Sequence, residues 1–299
     1  MFPAISLLIP CFNAGRYLPR LMVSVRASTQ PFGEIVCYDD GSTDDTVAVA
    51  RTLGLNIISG NPNGGVARAR NRLSAAAQTE WIHFHDADDL LGAHFVERLG
   101  AACNDRHDVV TCDADWVNET TRQLEIAWRY NPGELARAPL PHLLRQGMSL
   151  NNSIIRRSVW QDIGGCDETL AIWEDADVHI RLAAHGARFF HVPEVHTFSL
   201  RHGDSFSHDY LENTRCRLRS LDKYAAMLPS MHAVIAEQAE IAADAFLTLG
   251  SEDDARRAIT LCRRLGYAVP STDNFWVRLA RAVLPPLLLL KWRHRRRNR

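Results

Sequence analysis

Three carboxylates crowd into four residues at Asp86, Ala87, Asp88 and Asp89, directly after the apolar run Trp81 to His85. Acids this close repel one another unless a cation or basic partners offset them. Hard divalent ions take carboxylate and phosphate oxygens together, so Mg²⁺ or Mn²⁺ held between this cluster and a diphosphate suits the pattern. A solvated acidic turn is the competing reading. An earlier acid pair, Asp39 and Asp40, ends another apolar run just before Gly41 and Ser42. A carboxylate there can accept the base N–H of a uracil. The next residues read more simply, with Ser42 or Thr43 capping a helix and Asp44 and Asp45 favouring its positive end. The stretch from Asn63 to Asn71 is a glycine turn opening a helix. Its Arg68 and Arg70 either approach a diphosphate or belong, with Arg72, to a solvated basic face. Glu174 and Asp175 follow Trp173. They suit the first turn of a helix, and a carboxylate partly buried beside Trp173 also gains the raised pKa useful to a general base. His202 stands in a glycine-containing turn, where a neutral imidazole can complete a metal shell.

These residues need a scaffold that gathers them. Short apolar runs at Ile5 to Ile9, Glu34 to Tyr38, Leu55 to Ile58, Trp81 to His85 and Val109 to Cys112 read as strands. Between them, Tyr17 to Ala27, Thr43 to Leu53, Val66 to Ala77 and Ala93 to Cys103 carry helix-period apolar positions. Such alternation predicts an α/β fold with a mostly parallel sheet flanked by helices. Ligands bind at the carboxyl ends of strands in such sheets, so Pro10 to Asn13, Asp39 to Asp45 and Asp86 to Asp89 should meet on one edge. From 116 to 200 the pattern is irregular up to a helix over Glu174 to Ala184. Beyond about 210 strand signals vanish, and Leu211 to Gly266 reads as several helices with a turn at Gly250 and Ser251. Three parts follow: 1–115 for the nucleotide sugar, 116–210 for the acceptor, and 211–299 as a helical extension with a basic tail.

Taken in order, these motifs resemble the family 2 glycosyltransferases, inverting enzymes of the GT-A fold (a Rossmann-like sheet), over about residues 4–208. Leu8 to Asn13 is similar to the family's first strand and loop, which ends in an aromatic residue and Asn13. The resemblance implies that Asp40 binds uracil or another base, with Asp39 beside it and Pro10 and Phe12 lining the same pocket. It also implies that Asp86 contacts ribose or metal, that Asp88 holds the metal as in a DxD motif, and that Asp89 fixes the loop. Glu174 and Asp175 resemble the family's acid pair, with Asp175 as general base. Arg201, His202, Ser205 and Ser207 resemble a late pattern that closes over the diphosphate. His85 departs from the apolar residue usual before Asp86, and either tunes the metal site or faces solvent.

The implied activity is transfer of a sugar from a nucleotide-diphosphate donor, UDP by expectation, to a hydroxyl of a glycan or lipid-linked acceptor of the cell surface. The cofactor expected is Mn²⁺ or Mg²⁺. A nucleotidyltransferase that makes the sugar nucleotide would need a basic glycine-rich loop near the N-terminus, and Pro10 to Arg16 is not one. A non-catalytic nucleotide-sugar-binding domain has no need of Asp40, Asp86, Asp88 and Asp175 together. Composition narrows the partners further. Lys plus Arg number 34 against 35 Asp plus Glu, which offers no field for nucleic acid. The seven cysteines are scattered and never spaced as CxxC, which fits a reducing, cytoplasmic setting without a zinc site. Ala282 to Leu290 is too short to cross a bilayer, which takes roughly 20 residues. Followed by Lys291, Arg293, Arg295, Arg296, Arg297 and Arg299, residues 282–299 offer either a peripheral contact with the inner membrane face or a packed helix with a solvated tail. Oligomeric state is not written in the sequence.

Overall fold

In a computed structural model of the chain, residues 3–201 and 209–266 are described. The chain divides into two compact units, Met1–Ser205 and Phe206–Arg299. The first begins with β1 (Ile5–Cys11), α1 (Leu18–Arg26), β2 (Glu34–Asp40), α2 (Thr46–Thr52), β3 (Asn56–Gly60), α3 (Val66–Ala76) and β4 (Trp81–Phe84). Then come β5 (Leu90–Leu91), α4 (Phe95–Gly100), β6 (Val109–Asn118), β7 (Leu124–Trp128), α5 (Pro132–Arg137) and α6 (Pro139–Arg145). The unit closes with β8 (Ser153–Arg156), α7 (Arg157–Asp162), α8 (Glu174–Ala184) and β9 (Phe189–Arg201).

The strands form one sheet in the order β3-β2-β1-β4-β8-β6-β9-β5, with β7 added to β6. Neighbours β3-β2, β2-β1 and β1-β4 are parallel, as the alternating strand and helix signals require. Past β4 the sheet turns mixed: β8 runs antiparallel to β4 and β6, while β9 lies parallel to β6. The parallel expectation therefore describes the first half of the sheet. β1 is covered on both faces, which explains why it reads as an unbroken apolar run rather than an alternating one. Ile5, Leu7 and Ile9 pack with Leu18, Leu21, Trp81 and Phe95 in the main core.

Local signals set the helix ends. α5 starts on Pro132 behind Asn131, whose side-chain oxygen accepts from Gly133 N and Glu134 N. α8 carries Glu174, Asp175 and Asp177 in its first turn, where the helix dipole favours negative charge. The second unit holds α9 (Tyr210–Met227), α10 (His232–Thr248) and α11 (Glu252–Arg264), with a core of its own around Phe246, Ala255 and Ile259. None of the described helices is long and apolar enough to cross a membrane. The tail reading for 282–299 falls outside the described residues.

Candidate active site

Because β1, β2 and β4 are parallel neighbours, their carboxyl ends and following loops share one edge of the sheet. The first two loops are sewn together by side chains. Asn13, at φ 51°, donates from its N–H to Ser42 Oγ at 2.9 Å, and its Oδ1 accepts from Thr43 N at 2.9 Å. Ala14 N donates to Thr46 Oγ1 at 2.7 Å, and Gly15 N to Asp44 Oδ2 at 3.1 Å. The capping expected of Ser42 or Thr43 is thus replaced: Asp45 holds the cap position of α2 without a side-chain bond, and its neighbours reach across to the β1 loop. A tight cross-loop partner outcompetes a local cap when the fold brings it within reach.

Asp40 is only 3% exposed. Its carboxylate accepts from Gly64 N at 3.0 Å and Gly65 N at 2.7 Å, which ties the end of β2 to the turn before α3. Asp39, also buried, accepts from Ser42 N at 3.2 Å. Gly41 stands between the loops at φ +80°, and a Cβ there would lie 3.0 Å from Asn63 N. Phe12 is 50% exposed beside these loops, with Pro10 half-buried at the end of β1.

After β4 the acid cluster divides. Asp89 turns inward, where its Oδ2 accepts from Asn151 Nδ2 at 2.6 Å and Ser199 Oγ at 2.8 Å, and its Oδ1 from Leu200 N at 2.9 Å. Burial, and then the charges of Asp88 and Asp86, hold its carboxyl well above the usual range. Asp86 and Asp88 stay half-exposed. Asn151 Oδ1 also accepts from Asp86 N at 3.1 Å, so a single amide brackets the loop. From α1, Arg20 Nη2 donates to the Asp88 carbonyl at 2.8 Å.

Arg70 does not lie on a solvated face. It is 2% exposed, with Nη2 on Asp86 Oδ1 at 2.8 Å and Nη1 on Glu174 Oε1. Burial works against its charge, but Asp86 and Glu174 together outweigh that and keep it protonated. Burial likewise drives Glu174 up to about 7, with Arg70 opposing. The Asp175 carboxyl is raised from its ordinary value by burial, again against the pull of Arg70.

The turn into α8 is strained. Trp173 sits at φ 77°, a left-handed conformation that costs a bulky residue on the order of 1–3 kcal/mol. A Cβ on Gly147 would come within 3.1 Å of the Trp173 ring, so the missing side chain makes room for it. Tyr130 Oη donates to Gly147 O at 3.0 Å and fixes that backbone. Next to Arg70, Asn71 bonds Cys166 through both N and O, while Arg181 donates to Ile163 O and Gly165 O. α3 and α8 thereby grip the same turn.

Residues 6–164 match the family model described as Glycosyl transferase family 2, more than half of the chain. The chain belongs to this family. An uncharacterized glycosyltransferase of Escherichia coli, YibD, is 32% identical over 154 residues, or 48% of this chain and 44% of that protein. The succinoglycan biosynthesis protein ExoU of Rhizobium meliloti is 28% identical over 243 residues, 73% of this chain and 68% of its own length. Among solved structures, Staphylococcus aureus TarS 1–349 in complex with UDP-GlcNAc matches with TM-score 0.60 at 16% identity, covering 88% of this chain and 92% of that one. The mannosyltransferase PcManGT from Pyrobaculum calidifontis, in complex with GDP-Man and Mn²⁺, matches with TM-score 0.60 at 15% identity, covering 98% and 87%. The fold is GT-A with a helical C-terminal part.

Within this family 2 chain the structure brings together Asp86, Arg70 and Glu174 through direct bonds, with Asp88 and Asp175 next to them in sequence. Pro10, Phe12, Asn13, Asp39 and Asp40 gather on the neighbouring loops. His202, Ser205 and Ser207 lie outside the described residues. Arg201 lies over the Trp116 ring at 5.2 Å and pairs with Glu125 at 3.4 Å. The solvent-facing reading of His85 does not hold: the ring is buried, 3.3 Å from His83, and burial pushes its pKa down to about 3. Sequence reasoning missed Arg20, Asn151 and Ser199. Only the doubled Asn151 and Asn152 left a signal.

The donors present fit a divalent ion. Around this point stand Asp86, Asp88, Glu174 and Asp175, with Arg70 bonded to Asp86 and Glu174 and Arg20 on the Asp88 carbonyl, and Asp86, Asp88 and Asp175 are half-exposed. Among the described residues no three His, Cys, Asp or Glu side chains close a full cage.

Proposed function

We propose that this chain transfers a sugar from a nucleoside-diphosphate donor to an acceptor hydroxyl with inversion at the anomeric carbon. One observation carries the reading: the buried Arg70 bonds the loop carboxylate Asp86 and the α8 carboxylate Glu174 at once, which places the Asp86–Asp88 loop next to Asp175. Asp86 and Asp88 would hold Mn²⁺ or Mg²⁺, and that ion supplies positive charge to offset the charge growing on the departing diphosphate.

The chain's own groups do the rest. Phe12, Pro10, Asp39 and Asp40 form the nucleotide-base side, and Asn13 locks its loops. Asp175 takes the acceptor O–H proton as that oxygen bonds to the anomeric carbon, while the bond from that carbon to the diphosphate oxygen breaks. Burial, which raises the Asp175 carboxyl, gives it the basicity this step wants, with Arg70 opposing the rise. Glu174 holds Arg70 and so aims the helix end. The donor half is residues 1–115 and the acceptor half 116–210, with β6 running through the boundary. We infer a uridine nucleotide as donor and a cell-surface glycan or lipid-linked precursor as acceptor. In support, TarS is solved with UDP-GlcNAc, and relatives include a succinoglycan biosynthesis protein and an O-antigen chain rhamnosyltransferase.

The test is a panel of nucleotide sugars with Mn²⁺, followed by mass spectrometry for released nucleoside diphosphate. On the donor so found, Asp175→Asn should keep donor affinity and lose about 10²-fold or more in turnover. Unchanged turnover removes Asp175 from the mechanism.

A further inference from the structure

We propose that Arg20 is a positioning residue for the metal-binding loop, fixing the backbone of Asp88 and thereby setting cation affinity. This rests on Asp88 being a metal ligand, as proposed above. The guanidinium lies on α1, and three contacts determine where it can be. Nη2 donates to the Asp88 carbonyl at 2.8 Å, Nη1 meets Glu119 Oε1 at 2.7 Å, and the plane lies over the Tyr17 ring at 5.8 Å. Glu119 is itself anchored, since its N–H donates to Arg201 O at 3.0 Å at the end of β9. The same end of β9 supplies Ser199 and Leu200 to Asp89. Asp88 and Asp89 are therefore both referenced to β9, one through Arg20 and Glu119, the other directly.

A planar fork suits this task because it holds two oxygens at a fixed mutual angle, which an ammonium does not. The arrangement also gives charge and geometry opposite signs. Arg20 brings a positive charge beside the cation site, so by Coulomb's law its removal should tighten cation binding. If positioning dominates, removal loosens the loop and weakens binding. Groups that orient metal ligands typically change affinity by about 10–100-fold.

The full chain is titrated with Mn²⁺ in the presence of UDP, reading the free ion by electron paramagnetic resonance, with thermal unfolding followed in parallel. Arg20→Gln and Arg20→Lys are both expected to weaken Mn²⁺ binding by about 10-fold or more while keeping the unfolding midpoint. Arg20→Gln that binds Mn²⁺ as tightly as the unaltered chain, or more tightly, overturns the proposal in favour of charge alone. Arg20→Lys with unaltered affinity overturns the need for the fork. An unaltered chain that binds no Mn²⁺ with UDP takes down the Asp88 reading and this proposal together, so the two failures are distinguishable.

Discussion

Two acidic regions of this molecule are built on opposite principles. At the end of β2, Asp40 is held by neutral groups, the N–H donors of Gly64 and Gly65, and the structure it organises is its own neighbouring turn. At the end of β4 and the start of α8, Asp86 and Glu174 are held by one buried charge, Arg70, from a third element. The first is local stitching, and the second is a long-range electrostatic joint. Backbone donors fix a carboxylate without creating a buried cation that must itself be satisfied. A shared guanidinium makes each acid depend on the other, because loss of any member strands a charge.

The strongest way to break this contrast is Arg70→Met. It leaves Asp86 and the buried Glu174 facing each other without a cation, and should cost about 3–5 kcal/mol in urea unfolding, the usual price of orphaning a buried ion pair. Asp40→Asn should cost less, about 1–3 kcal/mol by the same measurement, since it sets an amide against two N–H donors without stranding a charge. Equal losses in the two variants would mean that the regions are not built differently. The gentlest probe is pH. Burial pushes the Glu174 carboxyl up to about 7 in the folded chain from an ordinary 4.5, so the folded state keeps a proton there that the unfolded chain releases. Its contribution to stability therefore declines as pH rises from 4.5 to about 7, by at most about 1.4 kcal/mol per pH unit. Unfolding midpoints of the unaltered chain and Glu174→Gln, compared across that window, should diverge in slope. Parallel slopes would show that Arg70 holds Glu174 ionised throughout.

Legibility followed the range of the interactions. The helix over Glu174–Ala184 was readable to the residue because its acids and apolar spacing all lie within it. β1, β2 and β4 were readable as apolar runs because the fold buries them on both faces or nearly so, whereas β3 lies at the sheet edge and is largely exposed. β9 was not. Its 13 residues alternate imperfectly, and its partner β6 lies some 80 positions away, so nothing local marks it. β6 likewise continues six residues past Cys112, through a mix of polar and apolar positions where it pairs with β7 and β9.

The same division runs through the site. By itself the sequence determined that the strand-end acids share one edge, because strand ends and their order are local and successive facts. The residues alone did not say which of Asp86 to Asp89 turns inward, a role the family resemblance gave to Asp89, nor that Arg70 is buried where Arg68 and Arg72 are not. Those choices belong to tertiary structure. Asp89 is internal because Asn151, Ser199 and Leu200 arrive from distant segments to satisfy its oxygens, and Arg70 is buried because two carboxylates meet it there. A buried charge is tolerated only where its partners are, and no local pattern reveals where distant partners will stand.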